Sequence, residues 1–358
     1  MEGLRGFAVL LVFFVHYVTL IEPWIERHDG LLAFADALHS IGNTGVDLFF
    51  VLSGYLIYGS LLSRYSPFLP YIARRMERIY PAFTAVFLVY IALSFVFPGE
   101  SKIPSPPIEG AIYLLQNYLL LPGLLPIEAM ITVAWSLSYE MFYYLAIPLL
   151  IALFKLRTRS PSWRAAFFIS SAIALVVFTA LNGGPVRLIM FIAGIVLYET
   201  LNHSRLRASS AVGSIALLAG LLSMLIPMPE PAGTAVRLCI LFVAFFTLCL
   251  ACFRTPHAWL PRAFTWTPLR WLGNMSYSYY LLHGLTLNGA FLALSKLLPP
   301  SGEQAALFWV LLPPMFALTL LPSAALFLLI ERPFSLAPRK ARGAPKLTQA
   351  ASASESGS

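Results

Sequence analysis

The sequence predicts an all-α fold: a polytopic transmembrane helical bundle of about ten spanning helices with both termini in the cytoplasm. Three observations predict it. Hydrophobic residues fill 59% of the 358 positions and charged residues 11%, with a mean hydropathy of +0.77, whereas a soluble domain carries about 25% charge. Ten stretches are long and apolar enough to cross roughly 30 Å of hydrocarbon. Lysine and arginine are shared unequally between alternate connections, as the positive-inside rule requires.

The segments follow in order. The first, 4–22, has no basic n-region and no small-residue cleavage site before it, so it is expected to act as its own insertion signal. The second, 41–62, carries Asp47 near its head. A basic run, YIARRMERIYP (71–81), leads into the third, 79–97. Residues 111–121 are apolar but too short to cross and read as re-entrant or interfacial. The fourth, 133–154, opens on WSLSYE. Segments 165–181, 186–201 and 211–227 are short. The eighth, 234–253, holds all three cysteines, and the C-x-x-C from Cys249 to Cys252 has no histidine or second pair beside it, which favours apolar packing over metal or redox work. The ninth, 272–294, carries His283, and the tenth, 307–330, runs into ERPF. Residues 1–335 then form one transmembrane domain, and 336–358, basic and afterwards small and polar, a disordered cytoplasmic tail.

When the connections are assigned alternately to two sides, 18 of the 24 basic residues fall on one side, from Arg64 to Lys346, and five on the other: Arg27, Lys102, Arg187, Arg237 and Lys296. Arg5 lies inside the first segment. The richer side is the cytoplasm. The net charge of +8 is thus explained by topology and not by a nucleic-acid surface.

Ionisable groups inside spanning segments are costly unless paired or facing a cavity. The short list is Arg5, His16, Asp47, Glu140 and His283, with Arg78, Glu199 and Glu331 near segment ends. At about 1.5 Å per residue, His16, Asp47 and Glu140 each lie roughly 9–10 Å below the outer surface, on three different helices. Arg5 and His16 are eleven residues apart, three turns plus about 20°, and so share one helix face about 16 Å apart. Each has a plain reading too. A lone histidine is often just hydrogen-bonded packing, and Asp47 near a helix start suits an N-terminal cap. Arg74, Arg75 and Arg78 share one helical arc; they serve either as a positive-inside anchor or as guanidinium forks for phosphate.

Six motifs in order resemble the acyltransferase 3 family of integral membrane O-acyltransferases: LRGFAVLLVFFVH (4–16), GVDLFFVLSGYLI (45–57), RRMERIYP (74–81), WSLSYEMFYY (135–144), LGNMSYSYYLLH (272–283) and ERPF (331–334). The resemblance implies transfer of an acyl group, commonly acetyl, from acyl-coenzyme A as donor substrate to a hydroxyl of a carbohydrate or lipid-linked acceptor at a bacterial inner membrane, with no metal. It implies that Arg5 and His16 are an essential pair, that Arg5, Arg74, Arg75 and Arg78 serve the donor, and that Glu140 lines the site. On chemical grounds His16 is the candidate base for the acceptor hydroxyl, or itself the acyl carrier, oriented by Glu140 or Asp47. Ser53, Trp135, Tyr139, Ser276, Tyr277 and His283 are candidate lining residues, although Trp and Tyr also serve as plain interfacial anchors. A transporter or flippase would share the helices, the buried charges and the cavity; turnover without covalent change separates the two. Acceptor identity, acyl length and oligomeric state are not written in the sequence.

Overall fold

A computed structural model describes residues 1–230 and 232–336. The expected tail at 336–358 lies, but for Leu336, outside the described residues. The described chain is mostly helical and has no β-strand among its described residues: α1 (Glu2–Ile25), α2 (Asp29–Gly42), α3 (Thr44–Ser63), α4 (Phe68–Val96), α5 (Pro107–Tyr118), α6 (Trp135–Leu153), α7 (Pro161–Asn182), α8 (Ile189–His203), α9 (Ser210–Ser223), α10 (Ala232–Arg254), α11 (Trp259–Ala263), α12 (Thr267–Asn274), α13 (Ser276–Leu297) and α14 (Ala305–Leu326), which continues as a π-helix over Phe327–Leu336. Among the described residues eight helical stretches are long and apolar enough to cross a membrane. All ten expected segments are helical, but two differ from the rest. The seventh is only the 14-residue α9. The ninth is broken at Met275 between α12 and α13, and α13 carries Ser, Tyr, His and Asn along its length.

Two further helices account for stretches read differently. Residues 111–121 fall mostly in α5, at 12 residues too short to span. Its C-terminal turn is tied down by buried Asn117, whose side chain donates to the Tyr113 and Glu128 carbonyls and accepts from the Met130 N–H at 2.8 Å. Helix α2 was not expected, because it lies mostly in the connection before the second segment; Ala35 is buried and Asp36 exposed, as on an amphipathic helix.

Large apolar side chains point outward: Leu88, Leu149, Ile173, Val243 and Leu321 are each more than half exposed, on five helices. Such a belt suits lipid. Inside, one apolar core joins α3, α4, α6, α8 and α10, and a second joins α1, α2, α13 and α14. Two helix pairs close on a glycine from each side. A Cβ on Gly54 would lie 2.0 Å from the Phe191 carbonyl oxygen, and one on Gly194 2.0 Å from that of Val51, so α3 and α8 touch backbone to backbone. Gly6 and Gly273 do the same for α1 and α12. These contacts fix the helices that carry Arg5 and Ser53.

Candidate active site

Five helices, α1, α3, α4, α6 and α13, surround a cavity of about 320 Å³. Arg5, Ser53, Arg75, Arg78, Glu140, Tyr144, Ser276 and Tyr277 supply its polar lining; Phe49, Leu52 and Leu137 are among the apolar side chains that complete it. Its exposed members, Leu56 and Ser60, lie toward the C-terminal end of α3.

The charges in this cavity are held but not paired. Glu140 Oε1 accepts from the Tyr144 hydroxyl at 2.6 Å, one turn along α6, and from the Ser53 hydroxyl at 3.4 Å. Arg75 donates to Ser60 Oγ at 3.0 Å, and its guanidinium lies between two rings, 5.3 Å from that of Tyr71 and 5.1 Å from that of Tyr144. Arg5 is within electrostatic reach of Arg78, Glu140 and Glu331. Among the described residues, no ion pair closes on Arg5, Arg75, Arg78 or Glu140. Three guanidiniums and one carboxylate around an open space leave a net positive lining that suits a developing or fixed negative charge.

Glu331, in the π-helical end of α14, is buried and accepts from both the Ser278 N–H at 3.1 Å and its hydroxyl at 2.5 Å. A carboxylate from another helix therefore caps the first turn of α13, where N–H groups have no intrahelical partner. That cap fixes the break at Met275 and so the direction of Ser276 and Tyr277. Tyr277 donates to the Ile79 carbonyl at 2.8 Å, while the Ser276 hydroxyl, buried in the cavity wall, has no hydrogen-bond partner among the described residues.

His16 does not line this cavity. Its ring packs edge-on against that of His283, centroids 4.9 Å apart. His283 is fully buried, and its Nδ1 is 2.9 Å from the Tyr279 carbonyl. That carbonyl can only accept, so Nδ1 carries a proton, and Nε2 of the neutral ring, which has no partner among the described residues, offers a lone pair. Tyr280 stands between the two sites: it lines the cavity, and its ring centroid is 6.2 Å from that of His283. Its hydroxyl is held by Ser136 at 2.8 Å.

Asp47 lies elsewhere again. It is buried in the first turn of α3, with Oδ2 3.7 Å from Nη1 of Arg187, the arginine just before α8. Arg187 also lies 5.7 Å over the Trp135 ring and donates to the Asn43 carbonyl. Tyr139 is buried against Phe50 and Trp135. Arg74 is exposed and donates to Ser66 Oγ. Among the described residues no hydrogen bond links His16 to Glu140 or Asp47: the three acid–base candidates occupy three neighbouring environments and not one triad. Of the candidate residues, Arg5, Ser53, Arg75, Arg78, Glu140, Ser276 and Tyr277 meet in the cavity. Tyr144, Tyr280 and Ser136 join them without having been singled out. Tyr144 was findable, since it stands four residues after Glu140 on one helix face.

A family model for an acyltransferase domain, that of acyltransferase 3, matches residues 1–328. The chain belongs to this acyltransferase family. It is similar to the acyltransferase MdmB of Streptomyces mycarofaciens, 27% identical over 98% of this chain and 97% of that protein. It is also similar to the peptidoglycan O-acetyltransferase OatA of Listeria monocytogenes, 25% identical over 79% of this chain and 48% of the relative, and to the O-acetyltransferase OatA of Staphylococcus aureus, 28% identical over 49% of this chain and 28% of that protein. The acyltransferase thus spans nearly all of the first and at most about half of the other two. No solved structure matches it. The match decides between the enzyme and the transporter readings: the protein is a multi-pass membrane O-acyltransferase. Among the described residues no cluster of three or more His, Cys, Asp or Glu side chains could hold a metal ion.

Proposed function

We propose that this acyltransferase moves an acyl group, acetyl in the first instance, from acyl-coenzyme A to a hydroxyl of a cell-envelope or exported glycan or glycolipid, from a bacterial inner membrane with both termini in the cytoplasm. The observation that carries the reading is the cavity in which Arg5, Arg75, Arg78 and Glu140 converge without an ion pair. The donor enters from the arginine-rich end of α3 and α4, and its thioester carbonyl comes to rest near Arg5. The acceptor hydroxyl approaches from the far side of Tyr280. His16 takes the hydroxyl proton as the oxygen attacks the thioester carbon, and Arg5 stabilises the oxyanion. The C–S bond breaks, the ester forms, and the leaving thiolate is protonated by the imidazolium, which restores His16. The same imidazole serves the acceptor hydroxyl first and the leaving sulfur of the donor second, which puts the reaction at the Tyr280 boundary between the donor cavity and the histidine pair. Asp47 and Glu140 act here as charge-setting neighbours: Asp47 orders Arg187 and the Trp135 wall, and Glu140 orders Tyr144 and Ser53.

The test is single-turnover transfer from labelled acetyl-coenzyme A with purified His16→Ala and wild-type protein. The reading expects donor binding to survive and transfer to fall by a factor of about 10² or more. Wild-type transfer in the variant refutes it.

A further inference from the structure

A second cavity, of about 330 Å³, lies beside the first and is not used by the acyl transfer described above. The turn after α3 (Tyr65, Ser66), the start of α4 (Tyr71) and the turn after α6 (Lys155, Arg157) bound it.

Three features mark it as built. Arg157 is oriented in advance: its Nη2 donates to the Leu61 carbonyl at 2.6 Å and the Arg64 carbonyl at 3.4 Å, and its guanidinium lies 5.1 Å over the Tyr65 ring. Carbonyls and a ring fix its direction without neutralising it, and among the described residues no carboxylate pairs with Arg157 or Lys155. Lys155 has a left-handed backbone, φ 50° and ψ 44°, where a helix end ordinarily uses glycine. The Tyr71 side chain is 3% exposed and forms part of the wall, with its hydroxyl on the side of the Arg75 guanidinium. The two cavities are neighbours, because the Arg75 guanidinium that lines the first packs on the Tyr71 ring that lines the second.

We propose that the second cavity receives the phosphorylated nucleotide end of the thioester donor, with the ribose 3′-phosphate on Lys155 and Arg157 and the base against Tyr65, while the donor's arm passes Arg75 into the main cavity. The inference rests on acyl-coenzyme A being the donor. Guanidinium and ammonium groups bind phosphate through charge-assisted hydrogen bonds, and aromatic faces stack on bases. A membrane phospholipid offers the same phosphate without the base.

The experiment compares Michaelis constants for acetyl-coenzyme A and its 3′-dephospho analogue, using the full chain in a neutral detergent with and without added anionic phospholipid. The wild type should prefer the phosphorylated donor by about tenfold in KM, as one good charge-assisted contact provides. Lys155→Gln should cut that preference to about threefold, and Lys155→Gln with Arg157→Gln should erase it. Among the described residues no hydrogen bond or ion pair involves the Lys155 ammonium, so the single variant is read without concern for the brace that Arg157 gives to α3. An undiminished preference in both variants overturns the proposal. So does an undiminished preference combined with a lost response to anionic phospholipid, which assigns the cavity to a lipid phosphate. A wild type that turns over both donors equally overturns this inference alone, and a wild type that turns over neither overturns the donor reading as well.

Discussion

Two charged clusters lie within one helical bundle and differ in whether their charges are matched. In the first, Arg164 of α7 meets Glu199 of α8 through two hydrogen bonds, Nε to Oε1 at 2.6 Å and Nη2 to Oε2 at 2.8 Å. Tyr58 of α3 donates to the same carboxylate, and Arg164 Nη1 donates to the Arg159 carbonyl at 2.7 Å. All three side chains are buried. In the second, Arg5, Arg75, Arg78 and Glu140 face an open cavity with no ion pair among them. Charge in low dielectric is tolerated when it is fully bonded or when it faces space that something else fills. The first cluster meets the former condition and holds three helices together. The second meets only the latter, and that difference is what marks it as the working site.

The largest effect that would break this contrast is on catalysis. Arg5→Gln removes an unpaired charge, so folding should lose little. The rate of acyl transfer should fall by about 10²–10³, the scale of losing one oxyanion donor. Thermal unfolding in detergent run beside an acetyl-transfer assay checks both halves; a variant that melts early while keeping its rate would put Arg5 in the structural class.

Glu199→Gln is the mirror experiment. It leaves Arg164 buried without its counter-charge, and breaking one side of such a pair costs about 3–5 kcal/mol. The melting temperature should drop sharply while the folded fraction, measured at low temperature, transfers acyl groups at close to the wild-type rate. A rate collapse without destabilisation would mean that this cluster, too, belongs to the chemistry.

How much of this was legible in the sequence differs in the same way between the two clusters. The helices were readable because lipid requires long apolar runs, and eight stretches among the described residues are long and apolar enough to cross; the seventh expected span is a short helix and the ninth is broken. Arg5, Ser53, Arg78 and Glu140 stood out either as charge at depth or in a motif. The links between them did not, since contacts between α1, α6 and α13 are set by packing over more than a hundred residues. His16 and His283 were each conspicuous, but nothing in a single chain says that their rings touch. Asp47 was weighed as a cap or a catalyst; its partner Arg187 counted only as one of five outer charges. Glu331 was visible near a segment end, but its role capping α13 depends on a π-helical turn that no periodicity announces. Arg164 was read as a cytoplasmic charge, and only the fold brings it to Glu199.

A smaller effect sharpens the contrast by leaving every charge in place. Gly54 follows Ser53, and a methyl group there meets the Phe191 carbonyl oxygen at 2.0 Å. Gly54→Ala must push α3 from α8, at about 1–3 kcal/mol for overpacking. Because α3 carries both Ser53 and Tyr58, the shift strains both clusters at once. Lower stability together with lower transfer is expected, and detergent melting with the transfer assay reads it. Gly184→Ala provides the control, since near that position only the Thr179 methyl carbon stands, at 3.6 Å. Gly184 has a φ of +126°, however, so its cost is one of backbone and is confined to the turn before α8.

The smallest effect separates neighbours within one motif. Arg75 and Arg74 adjoin in RRMER, so a membrane anchor would use them alike. In the fold they diverge by about 100° around α4. Arg75 is clamped between Tyr71 and Tyr144 at the cavity wall, while Arg74 is exposed and bonded to Ser66 Oγ. Cation–π contacts that are partly desolvated contribute about 0.5–2 kcal/mol each, and an exposed polar contact rather less. If Arg75 guides the donor, Arg75→Gln should raise the KM for acyl-coenzyme A by about tenfold and Arg74→Gln by about threefold or less, read from initial rates over a donor series. Equal shifts would return both arginines to the role of topology anchors, since a guide that touches the donor and an anchor that faces away from it cannot respond identically.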